Sequence, residues 1–235
     1  MKEGLLIPNF SCHDKKKGIC FPETLTEDLA EFVGLHIGDG HLGHRMSKDS
    51  YLFQIGGNAK TDSIHYDNFI VPLIRRLFNI SVKPKLLSGG SVYGFQIYSK
   101  GLFQFLKENF NLPTGSKKNI TIPEVVSKDN NLLAACLRGV IDTDFFFSYN
   151  SKGPELSAWF GSKSLVKSLE VSFLSLGFEP LVYYDIDAYH KKAKKFYRRH
   201  KITIRKKRDI EKWIKEIGTH HPKFRQRYTE WKKSI

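Results

Sequence analysis

The sequence is poor in cysteine, in long apolar runs and in acidic side chains. Its 235 residues include three cysteines, Cys12, Cys20 and Cys136, too few for the disulfide framework of a small secreted protein. No apolar run approaches the roughly 18 residues that a membrane-spanning helix needs, and the first residues lack the apolar segment of a signal peptide. We therefore expect a soluble intracellular protein, cytoplasmic or organellar, that makes no contact with a membrane.

Positive charge is what the chain has in excess. Lys and Arg number 38 against 24 Asp and Glu, which gives a formal net charge of +14. Residues 1–115 carry a net charge of +2 and residues 116–235 a net charge of +12. Because 40% of the residues are hydrophobic, the chain can bury a core, and its length fits one large domain or two of about 100 residues.

The densest basic stretch runs from Lys191 to Arg208 and holds eleven Lys or Arg residues and no acid. Its strand-forming residues alternate, which places Tyr197, Arg199, Lys201 and Thr203 on one face, opposite Phe196, Arg198, His200, Ile202 and Ile204. A solvated surface or a disordered tail is the alternative interpretation. A basic face attracts polyanions because bound phosphates release condensed counterions, so nucleic acid is the expected partner.

Two segments about one hundred residues apart are similar, and both predict helices, over 26–39 and 130–144. In each, small residues recur every four positions, so the two helices could pack with their backbones nearly touching. Each helix ends in an aspartate. A shift of 105 residues aligns Ala30 with Ala135, Gly34 with Gly139, Gly38 with Thr143, and Asp39 with Asp144.

Pairing the two helices would bring the carboxylates of Asp39 and Asp144 together. Two close carboxylates repel each other unless a proton or a cation lies between them. Beside a basic surface, a divalent metal that also contacts phosphate accounts for the pair. The alternative is that each aspartate merely ends its helix and starts a turn.

The elements that come after each helix also repeat. Strands are predicted over 41–45, 51–57, 82–87 and 92–98 in the first half, and over 146–150, 156–161, 181–187 and 196–204 in the second. Helices are predicted over 63–78, 101–110, 164–176 and 208–217. Each half therefore has the order αββαββα, and the predicted divisions are 1–112, a Pro- and Gly-containing linker 113–128, and 129–235.

At these residues the chain resembles the LAGLIDADG homing endonucleases. Phe32-Val-Gly-Leu-His-Ile-Gly-Asp39-Gly40 is similar to the first nine-residue motif, and Leu137-Arg-Gly-Val-Ile-Asp-Thr-Asp144-Phe145 is similar to the second. Two motifs at this spacing resemble the single-chain members of the family, which act as monomers with pseudo-two-fold symmetry. No intein splicing residues frame the chain, so we expect it to be free-standing.

The resemblance implies an α+β fold in which two saddle-shaped antiparallel sheets pack through the motif helices. It implies a site-specific double-strand DNA endonuclease, intron-encoded as is usual in the family, that reads a long asymmetric site and leaves 3′ overhangs. Asp39 and Asp144, assisted by the carbonyl groups of Gly38 and Thr143, would bind Mg²⁺ or Mn²⁺, and Ca²⁺ would be a non-catalytic substitute.

The same resemblance implies further site residues. Family members place a basic or polar residue after the second strand of each half to position water, and Lys60 and Lys163 are the candidates here. Ordinary phosphate-facing or solvated lysines are the alternative for both. The candidate DNA-binding residues are Arg45, Lys48, Gln54, Lys83, Lys85, Tyr197, Arg199, Lys201 and Thr203.

One motif position departs from the family. The residue after the second aspartate is Phe145, where the family usually has glycine, as at Gly40. If that position requires a positive φ, an aromatic residue there is strained by about 1–2 kcal/mol, and cleavage would weaken or favour one strand. The alternative function is a catalytically silent binder on the same fold, either an intron RNA maturase or a DNA-binding regulator.

Overall fold

The computed structural model describes residues 4–190 and 194–234. Among these residues, no helix combines the length and the apolar composition required to cross a bilayer. The helices are α1 Cys12–Lys16, α2 Glu27–Asp39, α3 Ser63–His65, α4 Val71–Phe78, α5 Lys100–Phe110, α6 Glu124–Ser127, α7 Asn130–Asp144, α8 Lys163–Ser175, α9 Lys207–Lys212 and α10 Pro222–Lys233. Two π-helical turns, Tyr66–Ile70 and Trp213–Ile217, continue α3 into α4 and extend α9.

Within the described part of the chain, eight strands form two four-stranded antiparallel sheets. They are β1 Gly40–Arg45, β2 Ser50–Asn58, β3 Lys85–Leu87, β4 Val92–Tyr98, β5 Phe146–Asn150, β6 Gly153–Phe160, β7 Leu181–His190 and β8 Lys195–Ile204. The strand orders, β1-β2-β4-β3 and β5-β6-β8-β7, are equivalent. The predicted α+β fold of two αββαββα halves is confirmed.

The two halves pack through α2 and α7, as the small-residue pattern predicts. A Cβ atom on Gly34 would lie 2.0 Å from the carbonyl oxygen of Cys136, and one on Gly139 would lie 2.3 Å from that of Glu31. Both distances are far below van der Waals contact, so only glycine allows this backbone approach. The close approach offsets the cost of about 1 kcal/mol for glycine inside a helix.

Capping residues define where the two motif helices begin. The Thr26 hydroxyl accepts from the Leu29 amide at 3.3 Å, and an Asp129 carboxylate oxygen accepts from the amides of Asn131 and Leu132 at 2.8 and 3.1 Å. Both caps satisfy backbone donors that the first helical turn leaves free. The caps therefore fix the starting points from which both helices run to their terminal aspartates.

One face of each sheet covers an apolar core and the other is open. In the first half, Phe53 and Ile55 of β2 are fully buried; in the second, Leu156 and Ala158 of β6 are. The alternate residues of the same strands lie on the opposite face. The two sheets therefore each present one face that their helices leave uncovered.

The structure differs from the prediction at several elements. Strand β3 begins at Lys85 rather than at residue 82, because Pro84 has no amide hydrogen for the ladder. The linker contains the short helix α6. Helices α1 and α10 were not predicted, and α10 packs on the second half through Trp231, whose ring centroid lies 6.1 Å from that of Phe147.

Candidate active site and nucleic-acid interface

The two motif aspartates lie at the same end of the paired helices. Gly38 of α2 faces α7, and a Cβ atom there would lie 1.9 Å from Thr143 Oγ1 and 2.7 Å from Asp144 Oδ2. The Asp39 carboxylate lies next to Gly57 of β2, whose Cβ atom would be 3.0 Å from Asp39 Oδ2. The backbone contact between the helices therefore brings the two carboxylates into one site.

Burial makes both carboxyl groups weaker acids than usual. Burial raises the pKa of Asp39 to about 7, with a further upward contribution from the charge of Asp144. Burial also raises the pKa of Asp144, to about 6, against the opposing effect of the Lys117 ammonium. A site of this kind favours either a shared proton or a bound cation.

Lys117, from the linker, is the basic residue that the structure places beside this pair. Its ammonium donates hydrogen bonds to the carbonyl oxygens of His36 at 3.2 Å, Ile37 at 2.9 Å and Gly38. These carbonyls end α2, where a cation is favoured by the helix dipole. Burial lowers the pKa of Lys117, while the charges of Asp144 and Asp39 raise it.

Sequence reasoning missed Lys117 because its contacts lie 79 to 81 residues away along the chain. Pro and Gly content identifies the linker, but nothing in the sequence distinguishes Lys117 from the neighbouring Lys118. An alignment in which a lysine at this linker position always accompanies the motif helix could have identified it. The three carbonyls use all three donors of the ammonium group.

A second group that sequence reasoning missed is Tyr66. Its hydroxyl donates to Asp39 Oδ2 at 3.1 Å, and this hydrogen bond lowers the pKa of Asp39 against the effect of burial. Tyr66 begins the π-helical turn Tyr66–Ile70 and is 1% exposed. Turns of this kind inside helices frequently occur at functional sites.

The C-terminal segment of the second half reaches across to the first half near Asp39. His221 Nε2 lies 3.1 Å from Asp62 Oδ1, and the Lys223 ammonium lies 3.2 Å from the same oxygen. His221 Nδ1 accepts from the Lys223 amide at 3.3 Å, so Nε2 carries the proton and donates to Asp62. His221 and Lys223 are 159 and 161 residues from Asp62 along the chain, so no local sequence pattern indicates the contacts.

A second polar cluster locks the same segment to both motif helices. Glu31 of α2 accepts from Arg138 of α7 at 2.8 Å and from His220 at 2.6 Å. Asp142 accepts from the Thr219 hydroxyl and from the His220 amide, the latter at 2.8 Å. Glu31, Asp142 and His220 offer ligand atoms within 4.8 Å of one another, but each already has a protein partner and Arg138 supplies the positive charge. We therefore interpret this cluster as a structural lock between the halves.

The two predicted catalytic lysines lie in different environments. Lys60 is exposed in the turn after β2, and no carboxylate oxygen among the described residues lies within 4.0 Å of its ammonium. Lys163 is the first residue of α8, and its ammonium forms an ion pair with Asp185 of β7 and lies 5.5 Å from the centre of the Tyr184 ring. A catalytic role for either residue stays a prediction.

Phe145 is not strained. Its φ of −84° and ψ of 161° nearly equal the −80° and 160° of Gly40 at the matching place. Its ring is buried and lies 6.1 Å from the rings of Phe160 and Phe173. The glycine is needed at position 40 for another reason, because a Cβ atom there would lie 2.2 Å from His36 Nδ1.

In the first half, the candidate DNA-binding residues lie on the uncovered face or at its rim. Gln54 lies centrally on β2, where its side-chain oxygen accepts from Gln96 at 2.7 Å. Lys85 faces the same side, opposite Gly94 of β4. The other three residues are exposed: Arg45 ends β1, Lys48 lies in the turn between β1 and β2, and Lys83 lies two residues before β3.

In the second half, the candidate residues differ in exposure. Tyr197 and Arg199 are exposed, whereas Lys201 is 15% exposed and pairs with Glu155 at 2.7 Å. Thr203 is fully buried and pairs with Ser157 of β6 and Leu181 of β7 in the sheet. The start of the predicted basic stretch, residues 191–193, lies outside the described residues.

The residues present fit a divalent metal. Asp39 and Asp144 provide the hard oxygen ligands that Mg²⁺ and Mn²⁺ prefer. Burial raises both pKa values because it disfavours the ionised carboxylates, and a bound cation would stabilise those ionised forms. The Gly38 carbonyl, expected as a further ligand, accepts a hydrogen bond from Lys117 and keeps a second lone pair. Assignment of these atoms as ligands stays a prediction.

Comparison with solved structures identifies the architecture. I-DmoI in complex with DNA and Mn superposes with a TM-score of 0.57 and 20% identity, over 82% of this chain and 96% of that one. I-LtrWI, a LAGLIDADG homing endonuclease bound to target DNA, gives 0.55 and 14%, over 88% of each chain. The chain has the LAGLIDADG homing-endonuclease fold. The N-terminal LAGLIDADG domain of DUF199/WhiA shares this fold, with a TM-score of 0.51 and 12% identity over 91% of this chain and 96% of that one.

Sequence comparison adds one relative with the same region. The chain is 29% identical over 199 residues, 84% of its length, to the glutamine–fructose-6-phosphate aminotransferase [isomerizing] of Methanocaldococcus jannaschii. It spans only 17% of the length of that curated relative. No protein-family model matches the chain. The LAGLIDADG fold is therefore the level at which the comparisons place it.

Proposed function

We propose that this LAGLIDADG-fold protein is a site-specific endonuclease that cuts both strands of duplex DNA with Mg²⁺ or Mn²⁺. The observation that carries the proposal is the convergence of Asp39 and Asp144 at one end of the α2–α7 pair. A protein that only binds nucleic acid has no need for two buried carboxylates that repel each other. The shared fold of enzymes solved with target DNA adds support.

The DNA would lie on the uncovered faces of the two sheets. Antiparallel strands fit a major groove about 12 Å wide and reach the base edges there, while Lys and Arg fix the register on phosphates. Because the two halves share a strand order but not their side chains, each would read a different half of a long asymmetric site. Gln54 would be a direct reader on the first half, and Arg199 on the second half would contact phosphate.

Each group at the centre has a defined task in this proposal. Asp39 and Asp144 would hold the metal, which when bound neutralises the charge of the scissile phosphates and acidifies water for attack on them. Lys117 would favour the ionised form of both carboxyl groups through its charge and would hold the end of α2 in place. Tyr66 would fix the orientation of the Asp39 carboxylate.

The test is a cleavage selection. The purified protein is incubated with a randomised duplex library and Mg²⁺, and cut ends are sequenced. Recurrent double-strand breaks with 3′ overhangs within one long motif, lost on addition of EDTA, are expected. Enrichment of bound duplexes without any cut ends would instead support the silent binder.

A matched set of variants separates catalysis from binding in the same selection. The Asp39→Asn and Asp144→Asn double variant keeps the shape of the site. It is expected to bind duplexes that contain the selected motif in a pull-down but not to cut them. If the double variant still cut the motif, the proposed active site would be wrong.

A further inference from the structure

The second half carries a two-stranded extension that the first half lacks. β6 pairs with β8 only from Leu156 opposite Ile204 to Phe160 opposite His200. β7 continues to pair with β8 up to His190 opposite Lys195. We call residues 186–190 and 195–199 the β7–β8 arm. At about 3.3 Å per residue, this arm projects about 15 Å past the end of β6.

The first half has no counterpart to this arm. β3 has three residues, and every residue of β4 from Val92 to Tyr98 is also paired with β2. The β3–β4 connection turns at once through Ser88–Gly90. The uncovered surface is therefore longer on the second half than on the first.

A bulge fixes the direction of the arm. The β7 register shifts between Tyr183 and Ile186, and Asp185 lies there with a φ of 56°. The Asp185 amide donates to His200 Nδ1 at 3.0 Å, and its carboxylate pairs with Lys163 of α8. A bulge bends its strand and redirects the residues beyond it, so α8 and the sheet together orient the arm.

The two faces of the arm differ in charge. Lys195, Tyr197 and Arg199 share one face, which continues the row of Lys201 on the sheet. Lys195 and Arg199 are exposed, and neither has a carboxylate within 4.0 Å among the described residues. On the other face Arg198 pairs with Asp187 at 3.5 Å. The uncompensated positive charge is thus on the same side as the predicted DNA surface.

We propose that the β7–β8 arm binds the phosphates of duplex DNA beyond the segment that the two sheets cover, on the side of the second half alone. This inference rests on the proposed function. At about 3.4 Å per base pair, the arm lengthens that side of the contact by about four to five base pairs. Contacts through exposed Lys and Arg side chains are electrostatic and add affinity without reading sequence.

Hydroxyl-radical footprinting tests the arm directly. The probe is a duplex recovered by binding selection in Ca²⁺, with at least ten added base pairs on each flank. The wild-type chain is expected to protect one flank about four to five base pairs further from the centre than the other. Lys195→Ala/Arg199→Ala is expected to lose that extra protection, keep the central footprint, and lower the salt slope by about two units.

The chain offers a matched control on the same strand. Arg198→Ala removes one charge from the opposite face and is expected to leave the footprint unchanged, whereas Arg199→Ala shortens it. Equal effects of the two single variants, or a symmetric wild-type footprint, would overturn the role of the arm while leaving the proposed function standing.

Truncated duplexes give an independent readout. Removing five base pairs from the protected flank is expected to weaken wild-type binding about tenfold and to leave the double variant unaffected; removing them from the other flank changes neither. Loss of affinity from both flanks alike would contradict the inference. Absence of any footprint with any selected duplex would overturn both the proposed function and the arm.

Discussion

The two halves of this protein share a backbone but not the surroundings of their aspartates. Asp39 accepts a hydrogen bond from Tyr66, and the carbonyls before it are capped by Lys117. The Asp144 side chain has no hydrogen-bond partner among the described residues. Four residues after the helix N-cap, where the first half has Tyr66, the second has Val166, which is fully buried.

This difference separates the features that the two halves share from those that they do not. The helix pairing, the strand order and the glycines at the crossing are common to both halves, because the shared backbone contact requires them. The polar groups around each carboxylate are not required by the fold and differ. We therefore expect the two strands of DNA to be cut with unequal dependence on the two aspartates.

The largest expected effect comes from the aspartates themselves. Asp39→Asn and Asp144→Asn, made separately, should each reduce double-strand cleavage by about a thousandfold, since loss of a metal-binding carboxylate removes several kcal/mol of transition-state stabilisation. Single-turnover assays with the two strands labelled differently measure each cut. If the two aspartates contribute unequally to the two cuts, the two variants leave different strands nicked. Identical product patterns would show that the aspartates contribute equally.

The glycines test the symmetric part of the comparison. Gly34→Ala and Gly139→Ala should each destabilise the protein by about 3 kcal/mol, because a methyl group at either place meets a backbone carbonyl of the other helix. Gly161→Ala is the control, since nothing lies within 4 Å of its Cβ position, and it should change stability by less than about 0.5 kcal/mol. Chemical denaturation measures all three, and a strong effect of only one motif glycine would contradict equal packing.

Lys117 tests an asymmetric part. Lys117→Met removes the cation beside both carboxyl groups and three hydrogen bonds to the end of α2. Cleavage should fall about tenfold to a hundredfold, with a smaller loss of stability of about 1 kcal/mol. Lys118→Met, the exposed neighbour, should leave both the cleavage rate and the melting temperature nearly unchanged. A fall in DNA affinity equal to the fall in rate would instead assign Lys117 to phosphate binding.

The sequence predicted what depends on local pattern and repetition. The helices ending at Asp39 and Asp144 and the αββαββα order of elements in each half could be inferred from periodicity and from the internal repeat. The contacts of Lys117 and Tyr66 could not be inferred, because their partners are 79 and 27 residues away along the chain. Lysine and tyrosine occur in many other environments, so the residue types alone do not indicate these contacts. The expected strain at Phe145 depended on a φ value that no sequence pattern supplies.

Tyr66→Phe has the smallest expected effect and is the sharpest test of whether Asp39 and Asp144 act unequally on the two DNA strands. The phenol hydrogen bond lowers the pKa of Asp39, which burial holds at about 7. Its loss should therefore raise that pKa, so that a smaller fraction of Asp39 is ionised at neutral pH and ionisation is completed only at higher pH. The packing of the ring is retained, so stability should change by no more than about 1 kcal/mol.

The consequence is confined to one strand. The strand whose cutting fails in Asp39→Asn should be cut about tenfold more slowly by Tyr66→Phe, with its pH–rate profile displaced to higher pH and the other strand's profile unmoved. Val166→Ala, at the matching place in the second half, removes no hydrogen bond and should leave both profiles where they are. Equal slowing of both strands would mean that Tyr66 supports the fold of the whole site and that the two carboxylates act as one unit.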